Sequence, residues 1–182
     1  MFRFTKTILS LCDVTGNWPR YYSEAGYDVI TVDIKAGGDV RLMEKPDYAV
    51  HGILAAPPCT MFAASGARWE RTDDEMREAL AVVDACLRLV MVCQPKWWAL
   101  ENPIGKLVRY LGRPRMYFDP CDFGDPYTKR TCLWGEFRKP RLTPVEATMG
   151  SMMHKLSPSP ERAALRSVTP LGFAKAFFEA NP

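Results

Sequence analysis

A strand, a turn, a helix and a second strand follow one another near the start of the chain, and this order restricts the fold more than any other feature. Residues 7–12 form a short apolar run that predicts a strand, and residues 13–19 predict a turn. Trp18, Tyr21, Tyr22 and Ala25 then recur at helical spacing, and Gly26 after them is typical of a helix end. A β-branched run over 27–33 closes on an acid. Such a βαβ unit joins parallel strands, so we expect an α/β fold with a mostly parallel open sheet.

The alternation of strands and helices continues downstream. Residues 51–56 predict a buried strand, and 73–94 predict an amphipathic helix for which Thr72 is a suitable N-cap. Residues 96–101 predict another strand, which we expect Asn102-Pro103 to end. A last helix is expected over about 171–180. The fold class remains α/β throughout.

Length and composition set the outer limits. The 182 residues suit one globular domain over 1–182 and are too few for two, and prolines make about 136–166 irregular. No apolar run has the roughly 20 residues of a membrane span, and six scattered cysteines without metal-ligand spacing fit a reducing cytoplasm. We expect no metal. The net charge of +3 suits a polyanionic partner but decides nothing alone.

In an open α/β sheet, ligands bind beyond the carboxyl ends of the strands, so the residues after each strand are candidate site residues. At Gly16 in the first turn the backbone can approach a ligand, and Asp33 could accept hydrogen bonds from a ribose diol. This pair fits NAD as well as S-adenosylmethionine, and equally a plain turn with a solvated acid. Asp39 could meet an adenine amino group or merely cap a turn.

Cys59 follows the third predicted strand. Pro57 and Pro58 stiffen the backbone before it and present its thiol at the strand tip, where it is placed for attack. A free structural cysteine is the ordinary alternative, but such cysteines usually lie within apolar segments, and Cys59 lies after one.

Glu101 is delivered to the same edge by the fourth predicted strand. Burial of a carboxyl group there costs free energy unless something uses it. Lys129 and Arg130 lie in a later turn that leads into a short strand, and such adjacent cations are usually just solvated.

These four regions resemble, in order and approximate spacing, the DNA cytosine carbon-5 methyltransferase family over nearly the whole chain. The most specific elements are Pro57-Pro58-Cys59 and Glu101-Asn102-Pro103. The resemblance implies a Rossmann-like class I fold that uses S-adenosylmethionine and releases S-adenosylhomocysteine. It also implies that Cys59 adds to carbon 6 of cytosine while Glu101 activates the ring at nitrogen 3.

The resemblance further implies two sets of binding residues. The methyl donor would contact the first turn, the acids after the second strand and their neighbours, the proline before the nucleophile and the segment before the last helix: Thr15, Gly16, Asn17, Trp18, Asp33, Ile34, Asp39, Val40, Pro57, Ser167 and Thr169. The target base would contact residues around the catalytic pair and the later turn: Pro58, Phe62, Asn102, Pro103, Lys129 and Arg130.

The chain departs from the family pattern in four places. Val14 stands where a second glycine is usual, and Ala63 where a serine is usual. One base-contacting arginine is missing or displaced to Arg130. Only about 136–166 lies where the family keeps its target recognition domain, and thirty irregular residues cannot form a reading module.

The short segment predicts loose sequence specificity, a single-stranded substrate or a partner protein that supplies recognition. Arg138, Lys139, Arg141 and Lys155 would provide phosphate contacts at most. A cytosine in duplex DNA would have to flip out of the stack. Compact phage genomes carry proteins that look like this one.

Three other functions stay open at this point. A catalytically silent homologue would bind DNA or S-adenosylmethionine without turnover. A methyltransferase for RNA or free cytidine nucleotides would keep the chemistry. A dinucleotide oxidoreductase would leave Cys59 and Glu101 without a task.

Overall fold

The computed structural model describes residues 5–64, 70–151 and 167–182. They form a six-stranded mixed sheet with the strand order β2-β1-β3-β4-β6-β5. The strands are β1 (Thr7–Leu11), β2 (Asp28–Val32), β3 (Val50–Ala55), β4 (Trp97–Pro103), β5 (Met116–Phe118) and β6 (Thr131–Glu136). The helices are α1 (Arg20–Glu24), α2 (Asp73–Cys93), α3 (Val108–Leu111) and α4 (Leu171–Ala180).

The predicted α/β fold is confirmed, and the strand directions refine it. β2, β1, β3 and β4 are parallel neighbours, as the βαβ pattern predicts. β6 runs antiparallel between β4 and β5, so the sheet is mixed rather than wholly parallel. The parallel neighbours send their carboxyl ends to one edge.

The predicted end of β4 was wrong by two residues. The strand continues through Asn102 and Pro103 because these residues pair with Cys132 and Thr131 of β6. Proline lacks a main-chain N–H and is tolerated at the end of a ladder. The extension holds Asn102 in the sheet, next to Glu101.

Helices cover both faces of the sheet. On one face α2 packs Val83, Cys86 and Leu89 against the strands, and on the other α4 packs Phe173 and Phe177. Thr72 caps α2 as predicted, and a reciprocal capping box with Glu75 accounts for the sharp start of the helix. None of the described helices combines the length and apolarity that crossing a membrane requires.

The segment after β6 is irregular in its described part. Residues 137–151 contain neither a helix nor a strand, as the prolines predict. Residues 152–166, which include Lys155, lie outside the described residues.

Candidate functional site

The carboxyl ends of β1, β2, β3 and β4 bring the predicted site segments to one edge of the sheet. The register places Leu11 beside Ala55 and Ala55 beside Leu100, so the residues that follow these strands emerge side by side. The first turn, the Pro57-Pro58-Cys59 turn and Glu101 therefore lie on adjacent strand ends.

Asp13 organises the turn after β1. One of its carboxylate oxygens accepts hydrogen bonds from the Thr15 main-chain N–H at 3.0 Å and from the Thr15 hydroxyl at 2.5 Å. The other oxygen accepts from the Trp18 main-chain N–H at 3.4 Å. Gly16 has a φ of +67°, a conformation that favours glycine, and an added Cβ would meet open space. The buried Asp13 carboxylate thus stabilises the turn, and the space next to Gly16 is open to a ligand.

Two other residues of the first turn hold the C-terminal segment. The indole of Trp18 is fully buried against Phe173 and Phe177. Asn17 donates from its side-chain amide to the carbonyl of Thr169 at 3.3 Å. The structure therefore brings Thr169 to this turn, with the exposed Ser167 two residues before it.

The residues predicted after β2 have contrasting environments. Asp33 accepts a hydrogen bond from the Lys35 N–H at 2.8 Å, and Ile34 beside it is 71 % exposed. Asp39 forms an ion pair with Arg41 at 2.7 Å, and the guanidinium lowers the pKa of this carboxyl group. Val40 is buried in the core. Of these side chains, that of Ile34 is the most accessible to a ligand.

A hydrogen bond joins the two most specific predicted elements. The Asn102 side-chain amide donates to the main-chain carbonyl of Pro57 at 2.9 Å, in a buried position. Beyond Pro57 the chain makes a tight turn, in which the N–H groups of Phe62 and Ala63 both donate to the Cys59 carbonyl. Cys59 is half-buried, whereas Pro58 is exposed. The nucleophile candidate is therefore tied to the strand end that carries Glu101.

Glu101 is buried and faces one cation. Its carboxylate lies 3.9 Å from the Lys129 ammonium, and both side chains are less than a tenth exposed. Burial raises the pKa of Glu101, the Lys129 charge opposes that shift, and the Asp13 charge adds to it. A carboxyl group in this environment is disposed to carry a proton and to donate it in a hydrogen bond.

The two cations predicted together are separated by the fold. The sequence suggested that Lys129 is solvated. It is instead buried, and it donates to the Val168 carbonyl at 3.1 Å. Arg130 is exposed, pairs with Asp119 at 3.1 Å and stacks over the Tyr117 ring. The fold therefore directs the Lys129 side chain toward Glu101 and the Arg130 side chain toward Asp119.

Phe62 and Pro103 are placed away from the exposed surface of the site. Phe62 is fully buried, with its ring edge-on to Tyr110 at 6.4 Å between centroids. Pro103 pairs with Thr131 in the sheet. Phe62 supports the turn that carries Cys59, and Pro103 extends the strand that carries Glu101.

Comparison with known proteins concerns the fold. No protein-family model and no curated protein matches the sequence. Among solved structures, the chain is similar to a prophage-encoded Escherichia coli protein assigned provisionally as a DNA modification methyltransferase, with a TM-score of 0.53 and 18% identity. The match covers 86% of this chain and 50% of that one, so the chain spans about half the length of that protein. At this identity the likeness shows the fold.

Two residues of the site were not singled out from the sequence. Asp13 was part of the predicted turn, but only the structure shows that its carboxylate gathers three donors. Gly105 lies so close to the segment after Cys59 that an added Cβ would overlap the Phe62 carbonyl oxygen. A glycine two residues after the Glu101-Asn102-Pro103 element was the available signal for such a close approach.

An apolar depression of about 490 Å³ lies on the α2 side of the Pro57-Pro58-Cys59 turn. Pro58 and Met61 line one wall, and Asp74, Glu75 and Glu78 of α2 line the other. Asp74 and Glu78 are paired with Arg77 and Arg41, so their charges are partly balanced. Among the described residues, no group of three or more potential ligands could hold a metal ion.

Proposed function

We propose that this chain methylates carbon 5 of cytosine in DNA, with Cys59 as nucleophile, Glu101 as the group that activates the base, and S-adenosylmethionine as methyl donor on a Rossmann-like class I fold. The observation that carries the proposal is the 2.9 Å hydrogen bond from Asn102 to Pro57. It ties the turn that presents the thiol to the strand end that carries the buried carboxyl group.

The residues around the first turn fit S-adenosylmethionine. The Thr169 hydroxyl is buried and has no hydrogen-bond partner among the described residues, and it lies in the segment that Asn17 holds to this turn. The open space at Gly16 lets a ligand approach the backbone, and the exposed Ile34 offers an apolar surface for an adenine ring. Thr15, Gly16, Asn17, Asp33, Ile34 and Thr169 would hold the donor, which supplies an electrophilic methyl group.

Cytosine carbon 5 is too weak a nucleophile to take that methyl group unaided. The Cys59 thiolate would add to carbon 6, forming a carbon–sulfur bond and moving the electron pair of the 5,6 double bond toward carbon 5. Glu101 would donate its proton in a hydrogen bond to ring nitrogen 3 and stabilise the charge that develops there. After methylation, loss of the carbon-5 proton and departure of the thiolate restore the ring.

The environment of Glu101 supports its part in this chemistry. Burial raises the pKa of the carboxyl group, and so favours the protonated form that nitrogen 3 requires. The Lys129 charge, 3.9 Å away, limits that rise. The arrangement resembles other buried acids that enzymes keep protonated for hydrogen-bond donation.

DNA as substrate is supported by the fold comparison. The similar prophage protein is assigned provisionally to DNA modification, and this chain spans about half of its length. We expect loose specificity, a single-stranded substrate or a recognition partner, because the described residues 137–151 contain neither a helix nor a strand for a recognition module.

The test is transfer of a labelled methyl group from S-adenosylmethionine to single-stranded DNA, duplex DNA, RNA and dCMP by the wild type, Cys59→Ala and Glu101→Gln. We expect transfer to cytosine carbon 5 in DNA, abolished in Cys59→Ala and reduced on the order of 10²- to 10⁴-fold in Glu101→Gln. The control is Cys121→Ala, a half-buried thiol outside the site. Equal transfer by Cys59→Ala, or none by a folded wild type that binds the donor, would refute the proposal.

A further inference from the structure

The segment that follows β4 carries four exposed or partly exposed residues beside the Pro57-Pro58-Cys59 turn. Ile104 and Tyr110 are 46% and 50% exposed, Arg109 is exposed and Lys106 is partly so. We call these four residues the basic platform. Leu107, Val108 and Leu111, which alternate with them, pack into the core on the α2 face and hold the segment rigid.

The basic platform is fixed to the turn that presents Cys59. The Lys106 N–H donates to the Phe62 carbonyl at 2.7 Å, and the Ala64 N–H donates to the Ile104 carbonyl at 2.9 Å. Ala63 and Gly105 form an antiparallel bridge between the same two segments. The N–H groups of Phe62 and Ala63 in turn donate hydrogen bonds to the Cys59 carbonyl. Main-chain hydrogen bonds therefore connect the platform to the turn that contains the nucleophile candidate.

Two cations of the basic platform have no carboxylate partner among the described residues. Between Glu101 and Asp119 the sequence contains no acidic residue, but it contains Lys106, Arg109, Arg113 and Arg115. Among the described residues, no carboxylate forms an ion pair with Lys106 or Arg109. On the α2 side of the same turn, by contrast, Asp74 and Glu78 are paired with Arg77 and Arg41, and Arg71 donates to the Thr60 carbonyl. Lys106 and Arg109 are therefore cations near the turn that remain available to a polyanion.

We propose that the basic platform binds a single DNA strand next to the target base. Arg109 and Lys106 would contact phosphates, while the Tyr110 ring would stack on a base beside the target. The combination of cations with exposed aromatic and apolar side chains is the one by which proteins hold single strands without reading their sequence. This inference rests on the proposed function for the identity of the target base.

The test measures binding of a fluorescent single-stranded DNA oligonucleotide by anisotropy, without methyl donor, at several salt concentrations. We expect Tyr110→Ala to weaken binding about 10-fold, whereas Tyr110→Phe keeps the wild-type affinity because it keeps the ring. Arg109→Ala and Lys106→Ala should each reduce the slope of log affinity against log salt by about 0.7. The matched control is Arg20→Ala on the opposite face, an exposed residue paired with Glu24, which should change neither quantity.

Thermal melting identifies any variant that fails to fold. If Tyr110→Ala does not fold, comparison of Tyr110→Phe with the wild type still tests whether the ring alone is sufficient for binding. Weakening by Arg20→Ala equal to that by Arg109→Ala would overturn the platform. Tighter binding of an RNA strand or of duplex DNA of the same sequence would overturn a single DNA strand as its occupant. Loss of binding in the platform variants together with no cytosine methylation by the wild type would uphold the platform and refute the proposed function.

Discussion

The Asn102 side-chain amide donates to the main-chain carbonyl of Pro57 at 2.9 Å, and this bond connects two strand ends through a buried position. Its removal should affect both folding and chemistry. Asn102→Ala leaves a buried carbonyl unpaired, which costs roughly 1–3 kcal/mol in free energy of unfolding. Urea denaturation measures this cost. We also expect the folded variant to transfer methyl groups more slowly than the wild type, because the turn that carries Cys59 is no longer fixed.

The control for that prediction is Asn17→Ala. Asn17 also donates to a carbonyl, that of Thr169 at 3.3 Å, but in a partly exposed position where water can replace it. We expect a loss of stability below about 1 kcal/mol there. Equal losses in the two variants would show that the bond to Pro57 is not special.

The pH dependence of stability should report Glu101. Its pKa is raised in the folded protein by burial, with Lys129 opposing, so between the unfolded value of about 4.3 and the folded value the native state holds the extra proton. Stability from this group is complete below the unfolded pKa and is lost as pH rises through the folded pKa. Relative to Glu101→Gln, the wild type should therefore lose unfolding free energy as pH increases from about 4.3.

Urea denaturation of the wild type and Glu101→Gln at a series of pH values tests this prediction. Glu136→Gln, in which an exposed carboxyl group at the end of β6 is neutralised, serves as the control and should follow the wild type. A constant difference between the wild type and Glu101→Gln across the series would contradict the raised pKa.

Lys129 should be coupled to Glu101 energetically. Lys129→Met removes the cation 3.9 Å from the buried carboxylate and the donor to the Val168 carbonyl. Breaking a buried pair from one side costs about 3–5 kcal/mol, although protonation of Glu101 can relieve part of it. In the double variant Lys129→Met/Glu101→Gln the loss should be smaller than the sum of the single losses by about 0.5–3 kcal/mol.

A double-mutant cycle on free energies of unfolding measures that coupling. Lys175 and Glu179, a surface pair 4.0 Å apart on α4, provide the matched exposed cycle and should couple by less than about 1 kcal/mol. Additive losses at Lys129 and Glu101 would mean that the two groups do not stabilise one another.

The sequence predicts the frame of this molecule better than its details. The strands and helices up to β4, and α4, follow from periodicity and capping residues, because Thr72 and the apolar stripe of α2 act locally. β5 and α3 were missed because three- and four-residue elements carry too little pattern. β6 pairs antiparallel with β4 through contacts between residues about thirty apart, so its position in the sheet cannot be read from local sequence.

The same distinction applies to the candidate site. Cys59 and Glu101 could be placed at one sheet edge because parallel strands end together. The burial of Lys129 could not be predicted, since two adjacent cations have the same local signal and only the tertiary contacts with Glu101 and Asp119 separate them. The position of Thr169 beside the first turn likewise depends on a hydrogen bond to Asn17, which lies 152 positions away in the sequence.

Gly105 should tolerate no side chain. An added Cβ would overlap the carbonyl oxygen of Phe62 and crowd the Ala64 N–H, and both are main-chain atoms that cannot move aside without breaking the bridge between Ala63 and Gly105. Gly105→Ala should therefore lose roughly 1–3 kcal/mol of unfolding free energy by overpacking, and more activity than that loss alone explains, because the segment after Cys59 shifts.

Arg113→Ala, an exposed change in the same segment, should stay within about 0.5 kcal/mol of the wild type. Thermal and urea unfolding, compared with methyl-transfer rates at a temperature where every variant is folded, separate the two effects. Wild-type activity and stability in Gly105→Ala would show that the two segments are not held as closely as the structure places them.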